Sequence, residues 1–149
     1  MEGSNFVELK VLKTENIPLY EDIKVIDGSL IYGEVVGTYT IFHLENGHYN
    51  EPFVAVVLHD DSMDPEMTGQ KKIAKGSLVL AEMDTPVMVG KLGLFSYNGE
   101  CIIRKLKVSG KNAVLEAFNE KYPEIRIGEK DDFYILGRVV ESSNVNDFM

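Results

Sequence analysis

The stretch KLGLFSYNGECIIRKLKVSGKNAVLEA, residues 91–117, decides the fold. Lys91–Tyr97, Glu100–Val108 and Ala113–Ala117 each read as strands, rich in β-branched and aliphatic residues on the two-residue period that a half-buried strand requires. Asn98-Gly99 separates the first two. Both residues tolerate positive φ, so this dipeptide between strand-like runs is the strongest short-range hairpin signal. Ser109-Gly110-Lys111-Asn112 makes a second tight connection. A three-stranded meander is predicted.

The same periodicity extends outward. Val7, Leu9 and Val11 alternate with Glu8 and Lys10, and Tyr39–Leu44 divides into two faces. Phe53–Leu58 is continuously apolar, as in a strand covered on both sides. Leu78–Met83 and Tyr134–Val140 complete the strands. No stretch beyond about ten residues holds a 3.6-residue period, so little helix is expected. Asn46-Gly47 reads as a reversal in an exposed loop, and Met63–Lys75 as a loop between buried strands. The domain is mostly β.

Composition narrows the class of protein. The 149 residues suit one domain with tails, and 44% hydrophobic with 26% charged residues is a globular balance. Fifteen Lys and Arg against 24 Asp and Glu give a net charge of −9, which disfavours direct contact with nucleic-acid phosphates. The longest apolar run, Phe53–Leu58, falls far short of the roughly 20 residues of a membrane helix. The N-terminus lacks the basic stretch and apolar segment of a signal peptide. A single cysteine, Cys101, excludes an internal disulfide framework and fits a reducing cytoplasm. The expectation is a cytoplasmic protein without membrane association.

No familiar catalytic motif stands out. His43, His48 and His59 match no zinc spacing, so neither metal nor cofactor is expected. A phosphate-binding glycine loop and a Gly-x-Ser-x-Gly elbow are both absent. The informative segment is His59-Asp-Asp-Ser-Met-Asp-Pro65, directly after the apolar strand. A serine there can present its hydroxyl at a rigid edge while its backbone N–H helps hold an oxyanion. Asp61, Ser62 and Asp64 are equally suited to capping and turning the chain.

An ordered series of motifs adds to this. Ser62-Met63, Lys75-Gly-Ser-Leu-Val-Leu80, Val89-Gly-Lys-Leu-Gly93, Cys101-Ile-Ile-Arg-Lys-Leu106, Phe118-Asn-Glu-Lys-Tyr-Pro123 and Ile135-Leu-Gly-Arg-Val-Val140 follow one another. The series, over roughly residues 17–142, resembles the C-terminal domain of the LexA and lambda-type phage repressors and of UmuD. The resemblance implies twisted antiparallel sheets forming a partly open, barrel-like core. It divides the chain into an N-terminal arm (1–16), the domain (17–142) and a tail (143–149). It also implies a homodimer, with Phe133 and the strand Tyr134–Val140 at the interface. In that family a serine, activated by a neutral lysine, cuts an Ala-Gly or Cys-Gly bond upstream in its own chain. A recombinase filament promotes the cut, and a separate helix-turn-helix domain binds DNA.

Three departures bear on that chemistry. Ser62 stands at the nucleophile position, but Asp60 occupies the place of the family glycine. Aligned on Leu106, Arg104 occupies the lysine position, and arginine stays protonated and cannot act as a base. Lys105 is the fallback base, and needs a one-residue bulge to reach the same face. The cleavage-segment candidates are Asp27-Gly28 and Val36-Gly37, neither matching the family bond. The resulting expectation is a repressor's oligomerisation and regulatory domain, its self-cleavage lost, its DNA-binding domain not in this chain, and an antirepressor or recombinase filament as regulator. The alternative is an active Ser62–Lys105 peptidase, as repressor or UmuD-like protein.

Overall fold

The computed structural model describes residues 10–45, 52–65 and 72–143. Those residues form β1 (Val11–Tyr20), β2 (Ile23–Ile26), β3 (Ser29–Tyr32), β4 (Val35–Leu44), β5 (Phe53–Val57), β6 (Leu78–Met83), β7 (Leu92–Tyr97), β8 (Glu100–Ser109), β9 (Asn112–Glu116), β10 (Ile125–Arg126) and β11 (Phe133–Ser143), with no helix among them. Val7, Leu9, the Asn46-Gly47 reversal, part of the Met63–Lys75 loop and nearly all of the tail lie outside the described residues.

The meander forms as its turn residues dictate. Asn98 and Gly99 both take positive φ, 48° and 86°, and β7 pairs with β8 from Tyr97↔Glu100 to Leu92↔Lys105. β8 then pairs with β9 from Ser109↔Asn112 to Lys105↔Glu116. Around it grows a sheet in the order β10-β9-β8-β7-β11-β6-β5-β1-β4. β1 and β5 run parallel through Leu19↔Ala55 and Tyr20↔Val56, so the sheet is mixed. β1 crosses the boundary drawn between arm and domain, pairing with β4 from Val11↔Leu44 onward.

Burial follows the two-residue period. Val54 and Val56 of β5 enter one core cluster while Ala55 enters another, so this strand is covered on both faces. The first cluster lies beneath the β2–β3 hairpin, where Ile23 and Val25 pack with Met63, Val79, Leu94 and Ile103. The second holds Leu19, Tyr39, Ile41, Ala55 and Leu80. Here the sheet curls. β4 lies four strand spacings from β11, roughly 19 Å in a flat sheet, yet the Tyr39 hydroxyl donates to Glu141 Oε1 at 2.6 Å. The curled sheet does not close on itself, leaving the partly open core that the resemblance implies.

Gly137 marks the sharpest backbone approach. A Cβ there would sit 2.3 Å from the Glu82 carbonyl oxygen, so only glycine fits where β11 shifts register against β7. Beside it the buried Glu82 carboxylate pairs with the Arg138 guanidinium, an ion pair that nothing in the sequence reading singled out.

Candidate functional site

Ser62 sits where β5 ends and the chain turns. Leu58 keeps the strand's exit pinned, its N–H donating to the Ser77 carbonyl and its carbonyl accepting from Gly76 N–H. The turn closes through Asp64 N–H on the Asp61 carbonyl at 3.1 Å. On either side of it, Ile73 N–H donates to the Met63 carbonyl and Asn119 N–H to the Ser62 carbonyl, each at 2.8 Å. Ser62 and Met63 are thereby fully buried.

The hydroxyl of Ser62 is engaged on both sides. It donates to Asp60 Oδ1 at 2.5 Å and accepts from an Arg104 guanidinium nitrogen at 2.7 Å. The Ser62 backbone N–H also donates to Asp60 Oδ1, at 3.1 Å, so the donor that could have held an oxyanion is already used. Arg104 projects from β8, only 5% exposed, and its same nitrogen donates to the Ile103 carbonyl at 2.8 Å. Its Nε is buried without a hydrogen-bond partner. Burial pulls the guanidinium below its ordinary pKa, while Asp60 and Tyr122 push the other way. The guanidinium carbon lies 5.5 Å from the Tyr122 ring centroid, within cation–π range.

A second set of contacts braces the turn from the Asn119–Tyr122 segment. Asn119 Nδ2 donates to the Asp61 carbonyl at 3.2 Å, and the Tyr122 hydroxyl donates to Asp61 Oδ1 at 2.6 Å. That hydrogen bond holds the Asp61 carboxyl below its ordinary 3.8 and raises the Tyr122 phenol above its ordinary 10.0. The signs fix two pH limbs. Asp61 contributes stability that is present above the unfolded carboxyl's pKa and lost as pH falls through the lower folded value. Tyr122 contributes stability that is present below the unfolded phenol's pKa and lost as pH rises through the higher folded value. Tyr122→Phe is expected to flatten both limbs, below pH 3.8 and above pH 10.0, when urea midpoints are compared across pH. Unchanged limbs would show that this hydrogen bond does not brace the turn.

The remaining sequence candidates fall elsewhere. Lys105 pairs with Leu92 on one side and Glu116 on the other, in unbroken register from Glu100 to Ser109. β8 therefore has no bulge to bring Lys105 onto the face of Arg104. Asp27 and Gly28, with φ of 51° and 78°, form the tip of the β2–β3 hairpin, and a Cβ on Gly28 would approach the Tyr134 hydroxyl to 4.0 Å. Val36 and Gly37 lie in β4, with Gly37 opposite Leu19. Neither dipeptide bonds to Ser62.

The other reactive residue types are committed to structure. His43 Nε2 meets Glu15 at 2.9 Å, a ring nitrogen of His59 meets the Glu21 carbonyl, and His48 lies outside the described residues. Desolvation, with Asp22 adding to it, pushes the Cys101 thiol up to about 12, where it is no nucleophile. Among the described residues no group of His, Cys, Asp and Glu is placed to hold a metal, and no helix is long and apolar enough to cross a membrane.

Sequence reading singled out Ser62 and Arg104, which the fold brings into contact, and noted Asp60 only as standing in the place of the family glycine. It quoted Asn119 and Tyr122 inside a motif without giving them a task. Their signal was the motif's place in the series, at a fixed remove after the Arg104 strand.

A curled, mostly antiparallel sheet, a serine at the end of a buried strand and a cation delivered to it from the middle meander strand together give the framework of a serine-peptidase-like domain. Comparison agrees: the Peptidase S24-like family model matches residues 15–140, and the chain belongs to that family, which includes the C-terminal domains of LexA, UmuD and phage repressors. None of the curated proteins matches the chain.

Proposed function

We propose that this domain serves a phage-type or mobile-element transcriptional repressor as its oligomerisation and regulatory unit, and that its Ser62 site does not cleave. The observation that carries this reading is the hydrogen bond from Arg104 to Ser62 Oγ. A base must take the serine proton, and the group delivered from the meander is a guanidinium, which has only donors. The Ser62 proton points instead to Asp60 Oδ1, which also accepts the Ser62 backbone N–H. DNA contact would fall to a helix-turn-helix domain outside this sequence, in keeping with the net charge of −9. An antirepressor or recombinase filament acting on the domain would supply regulation.

Incubation at pH 9–10 tests the loss of cleavage. The chain is expected to stay intact by mass spectrometry over days. Fragments that disappear in Ser62→Ala would establish self-cleavage and overturn the reading.

The homodimer expected from the family is supported by β11, whose Tyr134 and Ile135 are 39% and 50% exposed although the strand lies inside the sheet. An apolar side chain as exposed as Ile135, on a strand paired on both sides, suits an isologous contact. Sedimentation at tens of micromolar is expected to give a dimer for the parent chain and a monomer for Ile135→Glu. A parent monomer would remove oligomerisation from the proposal.

A further inference from the structure

β11 changes neighbours along its length. It pairs with β7 from Phe133↔Tyr97 to Arg138↔Gly93, and with β6 from Gly137↔Met83 to Ser143↔Leu78. Beyond Arg138 no described strand pairs with its β7-side edge. The opposite wall has turned away, since Lys91 directs its carbonyl to the Leu106 N–H at 2.9 Å. Where the strands part lies a cleft of about 290 Å³ between Met88, Lys91 and Leu92 on one side and residues 139–142 on the other.

The cleft's charge is opposite to that of the chain. Lys72, Lys91 and Arg138 all line it, in a protein of net charge −9. Glu141 also lines it, but its Oε1 accepts the Tyr39 hydroxyl, beside the neighbouring cavity that Tyr39 lines. Arg138 is held on Glu82 by one terminal nitrogen, and its Nε is buried without a hydrogen-bond partner. Met88 offers an apolar rim, 66% exposed.

We propose that this cleft docks a short extended peptide carrying carboxylates, taken up as an added strand on the open edge of Val139–Ser142. An edge that no described strand pairs supplies main-chain hydrogen bonds, the apolar lining takes alternate side chains, and the lysines select for acid. The volume, at the small end of the roughly 300–1,000 Å³ of ligand pockets, suits two or three side chains rather than a domain. A second copy of this chain fits less well. A two-fold axis at the cleft would set Lys72, Lys91 and Arg138 against the same three cations, and like charges across an interface disfavour it.

Fluorescence anisotropy with a labelled Asp-Val-Glu-Val-Asp-Val peptide tests the proposal on the full chain. Saturable binding is expected, weakening as salt rises. Lys91→Glu, a change at an exposed side chain, should weaken it about tenfold or more, as should replacing the peptide's acids by lysine. Methylating alternate peptide nitrogens should abolish it. Equal binding of acidic and basic peptides, or an unchanged affinity in Lys91→Glu, would overturn the proposal. So would conversion of a dimer to a monomer by Lys91→Glu, because a second copy would then occupy the cleft. Ile135→Glu, read by sedimentation, reports separately on the dimer.

Discussion

Asp60→Gly combined with Arg104→Lys is expected to make Ser62 react with a fluorophosphonate probe at least about a hundredfold faster than in the parent chain, the lower end of what a positioned general base contributes. Position 104 already faces the serine, since the Arg104 guanidinium donates to Ser62 Oγ at 2.7 Å. A lysine rooted at the same β8 position enters the same buried environment, where desolvation disfavours its charged form and leaves a neutral amine to accept the proton. Arg104→Lys alone should gain far less. Asp60 already raises the pKa of the cation at position 104, and it occupies both the Ser62 hydroxyl and the Ser62 backbone N–H. Glycine at 60 frees both groups. Labelling of the double variant should rise with pH as the lysine loses its proton, disappear with Ser62→Ala, and persist with Lys105→Met. A folded double variant that stays unlabelled would show that the site has lost more than its base.

Much of this arrangement was legible in the sequence, for reasons particular to each element. The meander was readable because Asn98-Gly99 fixes its first turn and the flanking strands alternate. Arg104 could be assigned to the serine because Leu106 anchors the register, and register is rigid where one face is buried. β1 was largely hidden, because Thr14, Glu15 and Asn16 break the apolar pattern and Pro18 argues against a strand. β2 and β3 are only four residues each, too short for periodicity to register, although Asp27-Gly28 carried a hairpin signal that was read only as a cleavage candidate.

What the sequence did not show depends on long-range closure. Tyr39 reaches Glu141 across 102 residues, a contact that exists only because the sheet curls. The part played by Asp60 has a different cause. In the sequence it stood out only as the residue in place of the family glycine. In the structure its carboxylate accepts the same Ser62 hydroxyl that Arg104 donates to, and its charge favours the buried guanidinium. Asp60 and Arg104 are thereby coupled through the Ser62 hydroxyl.

That coupling predicts an asymmetric response to breaking the pair. Asp60→Asn is expected to cost about 2 kcal/mol, within the range for hydrogen bonds to a charged group, because the half-buried Asp60 carboxylate accepts both the Ser62 hydroxyl and the Ser62 N–H and its charge favours a guanidinium that is 5% exposed. The guanidinium would keep Ser62 Oγ, the Ile103 carbonyl and the Tyr122 ring, none of which carries a full negative charge. Arg104→Met should cost less, under about 1.5 kcal/mol, since an apolar side chain of similar length fills the space and the Asp60 carboxylate can turn to water. The two changes together should cost less than their sum, with a coupling of about 1–3 kcal/mol. Urea midpoints at constant slope would give all three values, and Asp60→Asn should lower Tm by roughly 4–8 °C. Strict additivity, or a larger loss from Arg104→Met, would mean that Arg104 does not depend on Asp60. The same asymmetry explains why the reactivated site needs both substitutions. Glycine at 60 strands a permanent charge when arginine stays at 104, whereas a lysine there can shed its proton and become the base.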